Sequence, residues 1–171
     1  VAARYEQLSD DARGAIKIRI LDALGCAIGA LGGKPIESIR GLLDDFGGAA
    51  LCSLVGGGRT APDRAAFYNS ALIRYLDFND SYLAPGETCH PSDSLGGILA
   101  GAQYANQTGR ELMTALAVAY QVQCRLSDVA PVRAKGFDHT TQGAYAAAAG
   151  MARALSLDQA QTANAIAISG T

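Results

Sequence analysis

The sequence predicts an all-α protein, a compact bundle of about six to seven packed helices joined by short loops. Apolar residues recur at helical spacing along most of the 171 residues. Capping residues, glycines and prolines divide the chain into segments of helix length. Glycine and alanine are frequent inside these segments, which favours close packing of helix backbones. At this length we expect one helical domain over residues 1–171.

Start and stop signals place the individual helices. Ser9 is the expected N-cap of the first, and Thr108 with Glu111 three residues later predicts a capping box at the fifth. Ser156 with Gln159 is the expected start of the last helix. The predicted helices cover approximately residues 10–31, 35–46, 62–77, 92–105, 108–126, 140–155 and 156–168.

The segments between the helices differ in composition. The apolar run 50–55 is long enough for a strand or an extended connector, and the glycines at 56–58 predict a turn because they lack the spacing of a phosphate-binding loop. Residues 78–91 and 131–139 are polar and contain proline and glycine, so both are predicted to be loops.

Composition excludes several classes of function. A net charge of −2 gives no general attraction to nucleic acid or anionic lipid, and no apolar stretch is long enough to cross a bilayer. The four cysteines form no C-x-x-C pair, so no zinc or iron–sulfur site is predicted. We expect a cytoplasmic protein that binds neither nucleic acid nor membrane and uses no cofactor.

The two histidines, His90 and His139, each lie in a polar loop directly before a predicted helix and close to carboxylates. Asp77 and Ser81 precede His90, and Asp93 follows it. Such groups suit removal of a proton from carbon and protonation of a leaving hydroxyl. This clustering favours a catalytic role for both histidines.

Simpler interpretations compete with this one for some of the acids. Asp80 and Asp93 could cap turns or the following helix, and for Asp93 capping is our prediction. Asp77, Asp80 and His90 could in principle bind zinc or iron, but they lack the compact H-x-x-x-H spacing, so no metal site is predicted.

Cations are missing from the same part of the chain. No lysine or arginine occurs between Arg74 and Arg110, whereas four acids do. A polycarboxylate substrate would therefore need cations from elsewhere, such as Arg133, Lys135, helix N-termini or residues beyond the sequence given.

Several motifs together resemble the MmgE/PrpD family. These are residues 21–26 (LDALGC), 75–82 (YLDFNDSY), 90–93 (HPSD) followed by 95–100 (LGGILA), and 136–140 (GFDHT). The resemblance implies the N-terminal helical part of a larger two-domain enzyme, its smaller α/β domain lying outside this chain, and usually a homodimer. It also implies a cofactor-independent lyase that removes water from a 2-methylcitrate-like polycarboxylate.

The resemblance leaves two alternatives open. One is decarboxylation or epimerisation of a related acid, of the cis-aconitate or iminodisuccinate type. The other, from a different class, is a non-catalytic helical assembly module. Position by position, Asp77, Ser81, His90 and His139 match residues of the family's pocket.

Roles follow from these matches as expectations. The base is Asp77 or His90, and His139 or another acid protonates the departing hydroxyl. Ser81, Lys135 and Thr140 are the expected substrate-binding residues.

Overall fold

The computed structural model describes residues 2–170, and seven α-helices in that range confirm the predicted all-α class. Three 3-10 helices and two short hairpins occupy the connections. The α-helices are α1 Asp10–Gly29, α2 Lys34–Phe46, α3 Pro62–Tyr75, α4 Leu95–Tyr104, α5 Gly109–Val129, α6 Thr140–Ala154 and α7 Gln159–Ser169. The 3-10 helices are Tyr5–Gln7, Pro91–Ser94 and Arg133–Lys135.

Capping side chains explain most of the helix starts. Ser9 caps α1 by accepting a hydrogen bond from the Ala12 amide, as predicted. Thr108 caps α5 in the same way, accepting from the amide of Glu111, but the predicted capping box is only half formed, because the Glu111 side chain pairs with Arg153 instead. The predicted cap of α7 is wrong, because Asp158 and Gln161 form its capping box. Ser156 instead has a φ of 56° and ends the preceding helix.

Two antiparallel hairpins lie between the helices. Strand β1, Cys52–Ser53, pairs with β2, Arg59–Thr60, around the predicted glycine turn. Strand β3, Tyr82–Ala84, pairs with β4, Glu87–Cys89, so the prediction of a loop without regular structure over 78–91 is wrong. Strands of three residues are too short to show a period-two pattern, which explains the error.

The core lies where α3 packs on α4 and α5 packs on α6. Its largest fully buried apolar side chains are Leu72, Ile73, Leu95, Ile98 and Leu116. Small residues bring the backbones together, as the composition predicted: a Cβ added at position 96 would lie 2.5 Å from the backbone nitrogen of Ser70. This packing makes α4 the central helix.

The 3-10 helix Pro91–Ser94 positions the candidate site. It contacts α1, α3, α4, α5 and α6, so the residues around it are held by five helices at once. Pro91, Ser92 and Ser94 are buried in that junction. Within residues 2–170, no helix has the length and apolar character needed to cross a membrane.

Candidate active site

The fold brings the two histidines together. His90 follows β4 and His139 precedes α6, and their ring centroids lie 5.1 Å apart with an interplanar angle of 67°. They are 49 positions apart in the chain, so this proximity is a property of the tertiary structure. Two imidazoles at this separation can act on neighbouring atoms of one small substrate.

Hydrogen bonding fixes the orientation of His90. Its Nδ1 lies 2.8 Å from the backbone carbonyl oxygen of Asp80 and 3.3 Å from the Ser81 hydroxyl. Because a carbonyl oxygen can only accept, Nδ1 carries the hydrogen and donates it. In the neutral ring, Nε2 then has the free lone pair and is the nitrogen that can take a proton.

The Asp80 side chain anchors the backbone that holds His90. Its Oδ1 accepts from the Ser92 amide at 3.1 Å, and its Oδ2 accepts from the Tyr120 hydroxyl at 2.6 Å. Burial and the neighbouring carboxylate raise the pKa of Tyr120, so the phenol stays a donor. Asp80 therefore links the β3–β4 region to α5. The described residues contain no group of three or more metal-binding side chains arranged around one point.

His139 has a different environment. Its side chain is 8% exposed, with Nδ1 lying 3.1 Å from Asp138 Oδ1 and Nε2 lying 3.9 Å from Asp93 Oδ2. Neither nitrogen makes an aligned hydrogen bond to any described residue. A backbone hydrogen bond from Thr140, together with His139, lowers the pKa of Asp138. The His139 ring thus lies between two carboxylates with its hydrogen-bonding capacity unused.

Asp93 belongs to the site, so its predicted role as a helix cap is wrong. No side chain caps α4, because the chain is already helical in the 3-10 turn that contains Asp93. Its Oδ1 accepts from the Asn79 side-chain amide at 2.8 Å. Burial raises the pKa of Asp93, against the opposing effects of Arg74 and Asn79. The carboxyl group is therefore available to His139.

The site also contains a cation that the sequence analysis did not assign. Arg74, near the end of α3, donates from Nη1 to Asp77 Oδ1 at 2.6 Å and to Asn79 Oδ1 at 3.1 Å. Its Nε lies 4.0 Å from Asp93 Oδ2. The spacing of three residues between Arg74 and Asp77 is the local signal that could have identified the pair.

Comparison with known proteins identifies the family. The sequence profile of the MmgE/PrpD N-terminal domain matches residues 1–171. The chain belongs to the MmgE/PrpD family.

Individual relatives in this family have dehydratase names. The chain is 32% identical over 163 residues to the 2-methylcitrate dehydratase of Escherichia coli (strain K12), covering 87% of this chain and 33% of that protein. It is 31% identical over 183 residues to the 2-methylcitrate dehydratase of Cupriavidus necator, covering 96% and 36%. It is 33% identical over 172 residues to an alkylcitrate dehydratase of a fungal species, covering 88% and 33%. The chain therefore spans about a third of the length of these relatives.

Asp77, Thr140 and Lys135 are the remaining positions expected at the site, and their placement differs. Asp77 has a φ of 55°, is 73% exposed at its side chain, and contacts neither histidine directly. Thr140 begins α6 and lines a cavity beside His139. Lys135 lies exposed on the 3-10 helix Arg133–Lys135 and makes no ion pair within residues 2–170. The structure therefore brings Ser81, Thr140 and the histidines together, but not Lys135.

A buried pair ties the two histidine-bearing regions of this MmgE/PrpD chain together. The Gln142 side chain donates from Nε2 to Glu87 Oε2 at 3.1 Å and to the Ala130 carbonyl at 2.7 Å. The Val132 amide donates to the same Glu87 oxygen at 2.9 Å. The β3–β4 hairpin is thereby joined to the loop before His139. No local sequence pattern predicted these contacts.

Proposed function

We propose that the intact protein is a hydro-lyase that eliminates water from a 2-methylcitrate-like polycarboxylate by acid–base catalysis without a metal. The supporting observation is the pair of imidazoles, 5.1 Å apart, in two different settings. His90 has one nitrogen fixed as a donor, whereas both nitrogens of His139 lack an aligned hydrogen bond and face the carboxylates of Asp138 and Asp93. This difference supports different roles for the two rings, one as the base and one as the acid.

In the proposed reaction His90 is the base. Its Nε2 takes a proton from the carbon next to a substrate carboxylate, and the electrons of that C–H bond form the new carbon–carbon double bond. The carbon–oxygen bond of the hydroxyl breaks at the same time, and a proton from His139 completes the departing water molecule. The fixed tautomer of His90 favours it over the exposed Asp77 as base.

Substrate carboxylates need positive charge near the rings. Arg74 is a described cation beside Asp93, and we assign Asp77 the role of holding the Arg74 guanidinium in place. Ser81 and Thr140 offer hydroxyl groups near His90 and His139, and we assign Lys135, exposed on the 3-10 helix before His139, as a second cation for the substrate. The family resemblance further supports a cytoplasmic homodimer with no membrane or nucleic-acid partner.

Product analysis of the intact protein tests this proposal. We expect 2-methylcitrate to be converted to an unsaturated tricarboxylate, with loss of the hydroxyl seen by NMR. Release of carbon dioxide from cis-aconitate, or inversion of iminodisuccinate, in the absence of dehydration would identify one of the other reactions. No turnover of any of the three acids would contradict the enzymatic proposal and favour an assembly module.

A further inference from the structure

A small cavity beside His139 contains Asp93 and Gln123, to which the proposed reaction assigns no role. It has a volume of about 190 Å³ and lies between α5, α6 and the segment around Asp93. Its polar lining is Asp93, Ser94, Gln123, His139 and Thr140, and small residues of α6 form its apolar wall. The cavity opens beside the ring that we assign as the acid.

Gln123 is the least explained side chain in this cavity. It is 2% exposed, yet its amide makes no hydrogen bond to any described residue. Other buried polar side chains of α5 do have partners: Thr114 donates to the Arg110 carbonyl, and Ser127 donates to Gln142. A buried amide without a partner is costly, so the Gln123 amide, which lines the cavity, needs a partner from a ligand or from water.

A second unpartnered group faces the same space. Both ring nitrogens of His139 are buried and lack an aligned hydrogen bond. On the α6 side Gly143 lies directly against the Gln123 amide, because a Cβ added to Gly143 would lie only 3.4 Å from Gln123 Nε2. Two side chains from different elements thus leave donors and acceptors unused around one volume.

Charge determines which ligand group fits. Asp93 lines the cavity, and its nearest cation, Arg74, lies 4.0 Å away and is not part of the lining. A second carboxylate would be repelled by Asp93. A hydroxyl is uncharged, can accept from the Gln123 amide, and can donate to Gln123 Oε1 or to Asp93.

We propose that this cavity binds the hydroxyl group of the substrate, and that Gln123 is the residue that recognises it. The inference rests on the proposed function and deepens it, because the hydroxyl held here is the one that leaves as water beside His139. Gln123 orients the group for protonation. Small residues at 143, 144 and 147 leave room for it.

The test replaces Gln123 with methionine, which keeps the length of the side chain and removes its amide. Two ligands are compared in the intact protein: 2-methylcitrate, and the same tricarboxylate without its hydroxyl. Both are measured by calorimetry in a His90→Gln background, so that turnover does not disturb binding. We expect the Kd of 2-methylcitrate to rise about tenfold, as for loss of one hydrogen bond, and that of the deoxy acid to stay within about twofold.

A matched control and a stability measurement complete the design. Gln121→Met changes an exposed glutamine of the same helix and should alter neither Kd. Gln123→Met should leave Tm unchanged or raise it, because the amide has no partner to lose in the unliganded protein. A clear fall in Tm would show that the amide has a structural role and would overturn the inference.

The remaining outcomes separate the inference from the proposed function. If the wild type dehydrates 2-methylcitrate but Gln123→Met weakens both ligands equally, or neither, only the role of Gln123 fails. If the wild type shows no dehydration but the variant loses affinity for the hydroxyl-bearing acid alone, the proposed reaction fails and the hydroxyl site stands. If neither acid binds, both are wrong.

Discussion

The two regions that carry the histidines are held in contrasting ways. His90 lies in the β3–β4 region, where Asp80 and Asn79 connect it through buried hydrogen bonds to α3, α5 and the 3-10 helix. His139 follows a loop that the Gln142 side chain attaches at a few points, and its own nitrogens remain unpartnered. One ring is fixed by the protein, and the other is free to bind a ligand.

This contrast fits a division of work in elimination. A base must be aimed at one C–H bond, which requires a fixed ring and a defined tautomer. An acid next to a leaving group gains its hydrogen-bond partner only when the substrate arrives. Substitutions that act differently on the two regions test this interpretation.

The largest expected effect is on turnover at the fixed ring. His90→Gln in the intact protein should lower kcat for 2-methylcitrate by about 10²- to 10⁴-fold, because a general base contributes that much. Ser81→Ala removes only the weaker contact to Nδ1, leaves the Asp80 carbonyl in place, and should cost less than about tenfold. Steady-state kinetics measures both. Turnover by His90→Gln close to wild type would remove His90 from the mechanism.

The next effect is on stability and compares the carboxylates that support each region. Asp80→Ala removes the buried acceptor of the Tyr120 hydroxyl and the Ser92 amide, and should lower the free energy of unfolding by about 3 kcal/mol. Asp138→Ala removes an exposed acceptor and should cost less than about 1 kcal/mol. Urea denaturation measures the difference. Equal losses would show that the two regions are held equally firmly.

Local patterns predicted the helices well because the apolar side chains of a helix recur every three or four residues. The caps Ser9 and Thr108 are confirmed for the same reason: a side chain and the amide it binds are three positions apart. At the start of α7 two cap-type residues compete. Ser156 has a left-handed backbone that ends α6, so it cannot serve as the N-cap, and Asp158 caps α7 instead. The choice of cap therefore depends on where the preceding helix ends.

The site was predictable only in part. Both histidines could be found because each precedes a helix in a polar segment, but nothing local showed that they would meet. In the sequence Arg74 is only the residue at which a segment without cations begins. In the structure its side chain lies 4.0 Å from Asp93 and belongs to the site. Gln123 and Gln142 lie within helical patterns, so their roles emerge only from contacts between elements distant in sequence.

A smaller loss of stability is expected at the link between the two regions. Gln142→Leu removes the donor to Glu87 Oε2 and to the Ala130 carbonyl, and should cost about 2 kcal/mol. Because the loop before His139 is released, kcat should fall as well. Gln159→Leu, on the exposed surface of α7, is the matched control and should change neither quantity. Loss of stability without loss of turnover would show that the Gln142 hydrogen bonds stabilise the fold but do not position His139.

The smallest effects concern the two acids beside His139, and they should have opposite signs. Burial raises the pKa of Asp93 above its ordinary 3.8, so the folded state binds its proton more tightly than the unfolded state does. Its charge therefore opposes folding at neutral pH. Asp93→Asn should gain stability relative to wild type there, and the gain should disappear as the pH falls through the raised pKa toward 3.8.

Asp138 should behave in the reverse way. The amide of Thr140 lowers its pKa, so its charge supports folding above pH 3.8, and that support is lost as the pH falls through the lowered value. Asp138→Asn should thus be less stable than wild type at neutral pH, by less than about 1 kcal/mol, and equal to it in strong acid. Urea denaturation at a series of pH values measures both variants. Curves of the same sign would mean that the two carboxylates share one environment, and that His139 is not placed between a partly buried acid and an exposed one.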